Sequence, residues 1–480
     1  MNPRKVPTRS KIVCTIGPAC ESKEMLLQMA EAGMDVLRLN LSHGAFDEHR
    51  ARFQRIRKNL PSSPILMDLE GPRVRIGEMA SEVLLSEGDH ITLTTEVVLG
   101  DATRVTVSLK TLPDSVGKGK RIFINDGIVE LRVDQIKDHD IHCTVVSGGE
   151  ISSHKGVNVP GVDLGMTVPT PQDIEHLKFI AELGPEFVAI SAVKHRSEVE
   201  KVTNFLHNEG IEIPVISKIE HKMAINNFDE ILDCSYGIMV ARGDLGVEVP
   251  PEQVPLLQKE FIQKCNRAGK PVIVATQMLE SMVRNPRPTR AETSDVANAI
   301  LDGADAVMLS AETAVGKHPV AAVKVMETIA RHVIGAFPQR DPQYYASDQH
   351  STAEELGRAV LSIANNLDVR TVLVFTMAGY TARMVSKYRP PVRIIASTPH
   401  PQVQRQLKLL WGTEAILVKH YEDLDALLLA TIQQLHQNKV VTDDERIIVV
   451  RASSLVPGKT NVIEVFKIAE VLQAKLPKAR

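Results

Sequence analysis

Short runs of β-branched and aliphatic residues alternate with helix-forming stretches along this 480-residue chain, and that rhythm restricts it to βα units around a parallel sheet or barrel. KIVCTI (11–16) reads as a first strand that stops at Gly17-Pro18, and the segment 22–32 reads as a helix closed by Gly33 at its C-cap. VLRLNLS (36–42) and PILMDL (64–69) supply two more strands. After a long interruption the pattern resumes with FVAISAV (187–193), PVISKIE (214–220), GIMVAR (237–242), PVIVATQ (271–277) and AVMLSAE (306–312). Three strands and five make the eight of a (β/α)8 TIM barrel.

The interruption has its own period. HITLTTEVV, RVTVSL, RIFIND, IVELRV and IHCTVV are short alternating segments between glycine turns, which describes an inserted all-β module. Beyond a polar, proline-containing stretch, TVLVFT, VRIIAST, EAILVKH and RIIVVRA alternate with helices and predict a C-terminal doubly wound α/β domain. The expected organisation is a barrel domain in two parts (1–72 and 169–337), an inserted β-barrel module (73–168), a linker (338–352) and the α/β domain (353–480).

Charge decides how such a chain could hold an anion. Fifty-six Lys and Arg against 59 Asp and Glu leave a net charge of −3, so no global positive field marks a nucleic-acid or membrane-surface binder, and anions must be held locally. No apolar run approaches the ~20 residues that span a bilayer. The five cysteines (Cys14, Cys20, Cys143, Cys234 and Cys265) are scattered and lack CxxC spacing, and the basic N-terminus lacks an apolar signal core. A reducing cytoplasm is the expected location.

In barrels of this type chemistry sits at the C-terminal ends of the strands. On VLRLNLSHG, strand period puts Arg38, Asn40 and Ser42 on one face and Leu37, Leu39 and Leu41 on the other, with His43 just beyond. An interior salt-bridged arginine with capping Asn and Ser is the structural alternative. In PVISKIE, Lys218 and Glu220 share a face; an isolated buried ion pair there is costly, which favours a further partner such as a metal or an anionic substrate. ARGDLG places Asp244 among glycines, beside backbone N–H groups expected to be exposed to a substrate anion. Glu220 and Asp244 from adjacent strands suit a hard cation with oxygen ligands, Mg2+ or by the same preference Mn2+. Thr276 ends another strand, where threonine is commonly structural. Asp68 precedes EGPRVR, and an extended backbone after Pro72 would bring Arg73 and Arg75 to one side, which implies phosphate. Three arginines, a lysine and two to three carboxylates on different strands describe metal-assisted phosphoryl transfer.

KIVCTIGPA, VLRLNLSHG, DLEGPRVRIG, HKGVNVPG, ISKIE, GIMVARGDLGVEVP, NRAGKPVIVATQMLESM and NPRPTRAETSDVANAILDGADAVMLSAETA together, in order and across nearly the whole chain, resemble the pyruvate kinase family. The resemblance implies a barrel, an inserted lid and a C-terminal effector domain, usually in a homotetramer. It implies transfer of a phosphoryl group from phosphoenolpyruvate to ADP in the last step of glycolysis. By motif position it implies Lys218 beside the transferring phosphoryl group, Glu220 and Asp244 on Mg2+, Arg38 and Arg75 on phosphate, and Thr276 at the enolate face. Backbone at Ala241 and Gly243 would meet the substrate carboxylate. Asn40, Ser42, Asp68 and the Leu69 carbonyl match monovalent-cation ligands, and His43, Asp126 and Lys155 would approach nucleotide when the lid closes.

The chain departs from the family pattern at several points. Ala192 and Lys194 stand where Phe and Arg are common after the serine of the fourth strand, and His221 and Ala224 follow the KIE motif. The C-terminal phosphate loop, often T-x-S-G-x-T, reads TMAGYT, keeping Thr376, Gly379 and Thr381 for a phosphorylated effector but losing a hydroxyl at Ala378. Arg73 follows Gly-Pro where family members that need K+ commonly carry Glu and those that do not carry Lys, so the resemblance implies that K+ is not required. Two rival readings, a Mg2+-dependent pyruvate-enolate aldolase and a silent metabolite sensor, are disfavoured by the inserted lid and by the presence of Lys218, Glu220 and Asp244.

Overall fold

A computed structural model describes residues 9–337, 340–346, 351–419, 423–453 and 459–473. Eight parallel strands close a barrel in sequential order: Lys11–Thr15, Val36–Asn40, Ile65–Asp68, Phe187–Ile190, Val215–Ile219, Gly237–Ala241, Val272–Ala275 and Ala306–Leu309. Each strand is short and buried on both faces, as a helix-wrapped parallel sheet demands. Alternate residues make two cores: Val13, Val36, Leu66, Ile216, Met239 and Ile273 fill the inside, whereas Ile12, Leu37, Leu39, Ile238 and Val240 pack outward under the helices. The helix Lys23–Ala32 is capped by the Ser22 side chain and ends at Gly33, whose φ of 124° is open to glycine. The second strand stops at Asn40, two residues short of the expected Ser42, because Ser42 N–H donates to Asn40 Oδ1 and turns the chain away from the sheet.

Between the third and fourth strands the chain forms a seven-stranded, largely antiparallel sheet with its own apolar core, among it Ile91, Leu93, Ile122, Leu131 and Ile141. Its edge strand Val74–Arg75 pairs with Gly156–Asn158, so the module leaves and re-enters the barrel at adjacent points. Asp173, fully buried, braces both crossings: its carboxylate accepts from Gly71 N–H at 3.1 Å on one and from Thr170 N–H at 2.9 Å on the other.

Beyond the barrel, five strands run in the order Thr413–Leu417, Arg393–Thr398, Val369–Phe375, Arg446–Ala452, Thr460–Lys467, the last antiparallel. Val372 and Val374 face one helix layer and Leu373 the other, so the sheet is covered on both sides. This domain seals the barrel floor. Leu409 joins the inner barrel core, Arg389 pairs with Asp305 at 2.8 Å, and the buried Glu186 accepts from both Arg57 and Arg405. Within the stretch expected as a linker, Pro342–Tyr345 forms a 3-10 turn that buries Tyr345 against Leu361 and Tyr388; residues 338–339 and 347–350 lie outside the described residues. With its floor closed, the barrel is open at the strand C-termini, beneath the inserted sheet.

Candidate active site at the barrel mouth

The inward-facing parity of Val13, Val36, Leu66 and Ile216 continues upward into Thr15, Arg38, Asp68 and Lys218, so four polar side chains converge where the apolar filling stops. Arg38 donates to Asp68 from Nε at 2.7 Å and to Thr15 Oγ1 at 2.8 Å. Lys218 Nζ lies 2.8 Å from Glu220 Oε1 and 3.4 Å from Asp68 Oδ1 and donates to Ser191 Oγ at 2.7 Å. Burial alone would neutralise Lys218, but Asp68 and Glu220 outweigh it and hold the ammonium above its ordinary value. Burial likewise pushes Asp68 up, and Lys218 and Arg38 together pull it below the usual carboxylate range. Lys218 and Asp68 are therefore both ionised at neutral pH.

Glu220 follows the fifth strand, where its Oε2 accepts from Ala192 N–H at 2.7 Å while its buried Oε1 faces the Lys218 ammonium at 2.8 Å and has no other partner among the described residues. The backbone beside Asp244 is not exposed as expected. Asp244 sits in the first turn of the helix Arg242–Glu248, and Gly243 N–H donates to Thr276 Oγ1 at 2.7 Å. Burial and the neighbouring Glu220 push the Asp244 carboxyl up to about 6, against the pull of Lys218 and Arg73. Two buried carboxylates that repel each other, from adjacent strand ends, fit a divalent cation with oxygen ligands. Among the described residues no three His, Cys, Asp or Glu side chains are grouped so that they could hold a metal ion, so this pair would leave most of the coordination shell to substrate and water.

Thr276 ends the seventh strand at φ 68°, a left-handed conformation that a β-branched residue adopts only under constraint. The constraint is visible: its hydroxyl donates to Ala275 O and accepts from Gly243, and its carbonyl accepts from Arg242 Nη2 at 3.0 Å. Ala241 ends the adjacent strand at the same rim.

The other expected residues divide. Asp126, Arg73, Glu220 and Asp244 line one cleft of about 940 Å3, open mouth included, between barrel and inserted sheet. His43 lies nearby, its imidazole held low by burial and then by Arg73 and Arg75. Arg75 is not part of the Lys218 cluster: its guanidinium donates to His154 O at 3.1 Å and reaches Glu70 at 3.4 Å. Lys155 flanks the sheet strand Gly156–Asn158, its carbonyl accepting from Ile76 N–H. Ser42 Oγ is buried without a hydrogen bond, as an unfilled cation ligand would be, but the Leu69 carbonyl is taken by the Ser191 hydroxyl at 2.7 Å. In the C-terminal domain Thr376 Oγ1 accepts from Gly379 N–H at 2.9 Å; Thr381 lies within the helix Tyr380–Lys387 rather than before it, and its hydroxyl meets that of Thr460.

Thr15, Ser191 and Arg242 belong to the site and escaped the sequence reading. Thr15 and Ser191 each end a barrel strand, which was the available signal. Arg242 was visible only as part of ARGDLG, and its ion pair with Asp295 at 2.6 Å joins residues 53 positions apart.

Residues 7–323 match the family model of the pyruvate kinase barrel domain, and residues 354–466 match that of the pyruvate kinase alpha/beta domain. The chain is 43% identical to pyruvate kinase 2 of Synechocystis sp. over 98% of its own length and 81% of the relative's. It is 42% identical to the pyruvate kinase of Geobacillus stearothermophilus over 97% and 81%. The crystal structure of a pyruvate kinase from Cryptosporidium parvum superposes with a TM-score of 0.89 at 34% identity, covering 96% of each chain. Fold, strand-end chemistry and full-length likeness agree, and the chain belongs to the pyruvate kinase family of phosphotransferases.

Proposed function

We propose that the chain transfers the phosphoryl group of phosphoenolpyruvate to ADP, giving pyruvate and ATP in the last step of glycolysis. The observation that carries this reading is the Lys218 ammonium, buried, charged and aimed into the barrel mouth by Asp68, Glu220 and Ser191. Such a transfer has a loose transition state, so positioning and neutralisation of charge do most of the work. Lys218 and Arg38 face the transferring phosphoryl group as the enol C–O–P bridge breaks at phosphorus and a β-phosphate oxygen of ADP bonds to it. Arg75 and Asp126, with His43 and Lys155, approach the nucleotide once the inserted module closes as a lid. Thr276 stands at the face where the enolate takes its proton, and the backbone at Ala241 and Gly243 would meet the carboxylate only where Gly243 N–H exchanges its bond to Thr276 Oγ1 for one to substrate. Glu220 and Asp244 would hold Mg2+, or Mn2+, which supplies Lewis-acid neutralisation of phosphoryl and enolate oxygens. The test is a coupled assay: pyruvate should form from phosphoenolpyruvate only with ADP and a divalent cation, and no pyruvate under those conditions rejects the reading.

Burial of Asp244, with the neighbouring Glu220 charge, sets a proton linkage. Below about pH 6 a divalent cation must displace the proton that Asp244 then carries. Mg2+ binding without substrates should therefore release protons near about pH 5.5 and not near about pH 8, weakening as the pH falls. Calorimetry in two buffers of different ionisation enthalpy measures this.

Asn40, Ser42 and Asp68 outline the family's monovalent-cation site, and we read Arg73 as the charge that stands in for K+. We also propose that Thr376, Gly379 and Thr381 hold the phosphate of an effector, supported by the hydroxyls gathered there and by the buried, unpartnered Ser397 Oγ at the end of the neighbouring strand. A panel of sugar phosphates and nucleoside monophosphates should contain one that shifts half-saturation by phosphoenolpyruvate about fivefold or more. A panel without any kinetic or thermal response discards the site. The family's homotetramer and cytoplasmic location are carried over as proposals; no described helix is long and apolar enough to cross a membrane.

A further inference from the structure

Ser191 and Ala192, consecutive residues of the turn after the fourth barrel strand, each touch one member of the Lys218–Glu220 pair. The Ser191 side chain is buried, and its hydroxyl has two neighbours at 2.7 Å: the Leu69 carbonyl and Lys218 Nζ. A carbonyl only accepts and an ammonium only donates, so the single hydroxyl proton is committed to Leu69 and the oxygen lone pairs face Lys218. The hydroxyl cannot rotate without losing both contacts. The backbone of Gly71 closes the other side, so near that a Cβ there would stand 2.7 Å from Ser191 Cβ. Ala192, at φ 55°, directs its N–H to Glu220 Oε2 at 2.7 Å, which keeps the carboxylate from turning wholly toward the ammonium.

We propose that Ser191 is a positioning residue for the phosphoryl-transfer step: its oriented hydroxyl, a third partner beside Glu220 at 2.8 Å and Asp68 at 3.4 Å, keeps the Lys218 ammonium from sinking wholly onto the two carboxylates and holds it aimed at the barrel mouth. This rests on the proposed function above. Without the hydroxyl, the ammonium keeps only its two carboxylate partners and settles onto them, which withdraws it from substrate while leaving substrate-binding groups in place.

Ser191→Ala and Ser191→Cys, each made in the wild-type chain and in Lys218→Met, separate this from a packing role. In the wild-type background Ser191→Ala should lower kcat by about 10- to 100-fold. KM for phosphoenolpyruvate should stay within about twofold, and Ser191→Cys should fall between. In the Lys218→Met background neither change should lower the residual rate further, because a residue acting through Lys218 has nothing left to position. A kcat that survives Ser191→Ala, or an equal fold-loss in both backgrounds, overturns the proposal. If the alanine variant fails to fold by circular dichroism, the cysteine pair decides by the same comparison. A wild-type chain that makes no pyruvate instead rejects the functional reading, an outcome distinct from either.

Discussion

Replacing Lys218 by methionine is expected to lower kcat at least about a thousandfold, roughly 4 kcal/mol of lost transition-state stabilisation. The reason is electrostatic. Methionine fills nearly the same volume, so Asp68 keeps its contact with Arg38 and Glu220 keeps that with Ala192 N–H, and the change removes one charge from the barrel mouth. Charge on the transferring phosphoryl group is spread most widely in the transition state, so its loss falls on kcat while Mg2+ and phosphoenolpyruvate binding, read by calorimetry, persist. Stability should fall too, since removing one partner from a buried ionic cluster costs up to about 3–5 kcal/mol, and thermal melting should register that without abolishing the fold. Turnover within tenfold of wild type would remove Lys218 from the reaction.

If Arg73 stands in for K+, as proposed above, Arg73→Glu is expected to make activity depend on that ion. Arg73 is exposed at the rim of the cleft, and among the described residues no carboxylate lies within ion-pair distance of it; Glu70, the neighbour that could have neutralised it, reaches Arg75 instead. Its charge is free to act on the site: it helps pull the Asp244 carboxyl down and holds the His43 imidazole low. A fixed cation there offsets phosphoryl and carboxylate charge as an added ion would. The wild-type chain should be fully active with Mg2+ in buffers whose only monovalent cations are bulky and organic. Arg73→Glu should be nearly inactive there and gain tenfold or more, about 1.4 kcal/mol of barrier, on adding KCl at constant ionic strength. An equal K+ response in the wild-type chain would show that Arg73 does not replace the ion.

Strand alternation made the architecture legible. Eight buried runs at βα spacing have few other solutions, and strand period in VLRLNLSHG and PVISKIE sets Arg38 on one face with Asn40 and Ser42 and Lys218 beside Glu220, because adjacent pleats leave a side chain only two directions. Capping was equally local: Ser22 and Gly33 bound their helix through bonds to their own turns. What the sequence could not determine were groups whose roles depend on partners far along the chain. Ser191 acquires its meaning from Leu69, 122 positions away, and from Lys218. Gly243 N–H looked open in ARGDLG, yet Thr276, 33 positions on, covers it. The partners of Arg75 in this structure, His154 O and Glu70, are 79 and 5 positions away, and the motif around it names neither as a partner. Hydrogen-bond direction and charge balance are set by whichever groups the closed barrel brings within 3 Å or so, and a closure joining strand ends hundreds of residues apart leaves no local trace in composition or spacing. The sequence by itself determined which side chains reach the barrel mouth, and only the tertiary structure decided which of them hold one another and which stay free for a ligand.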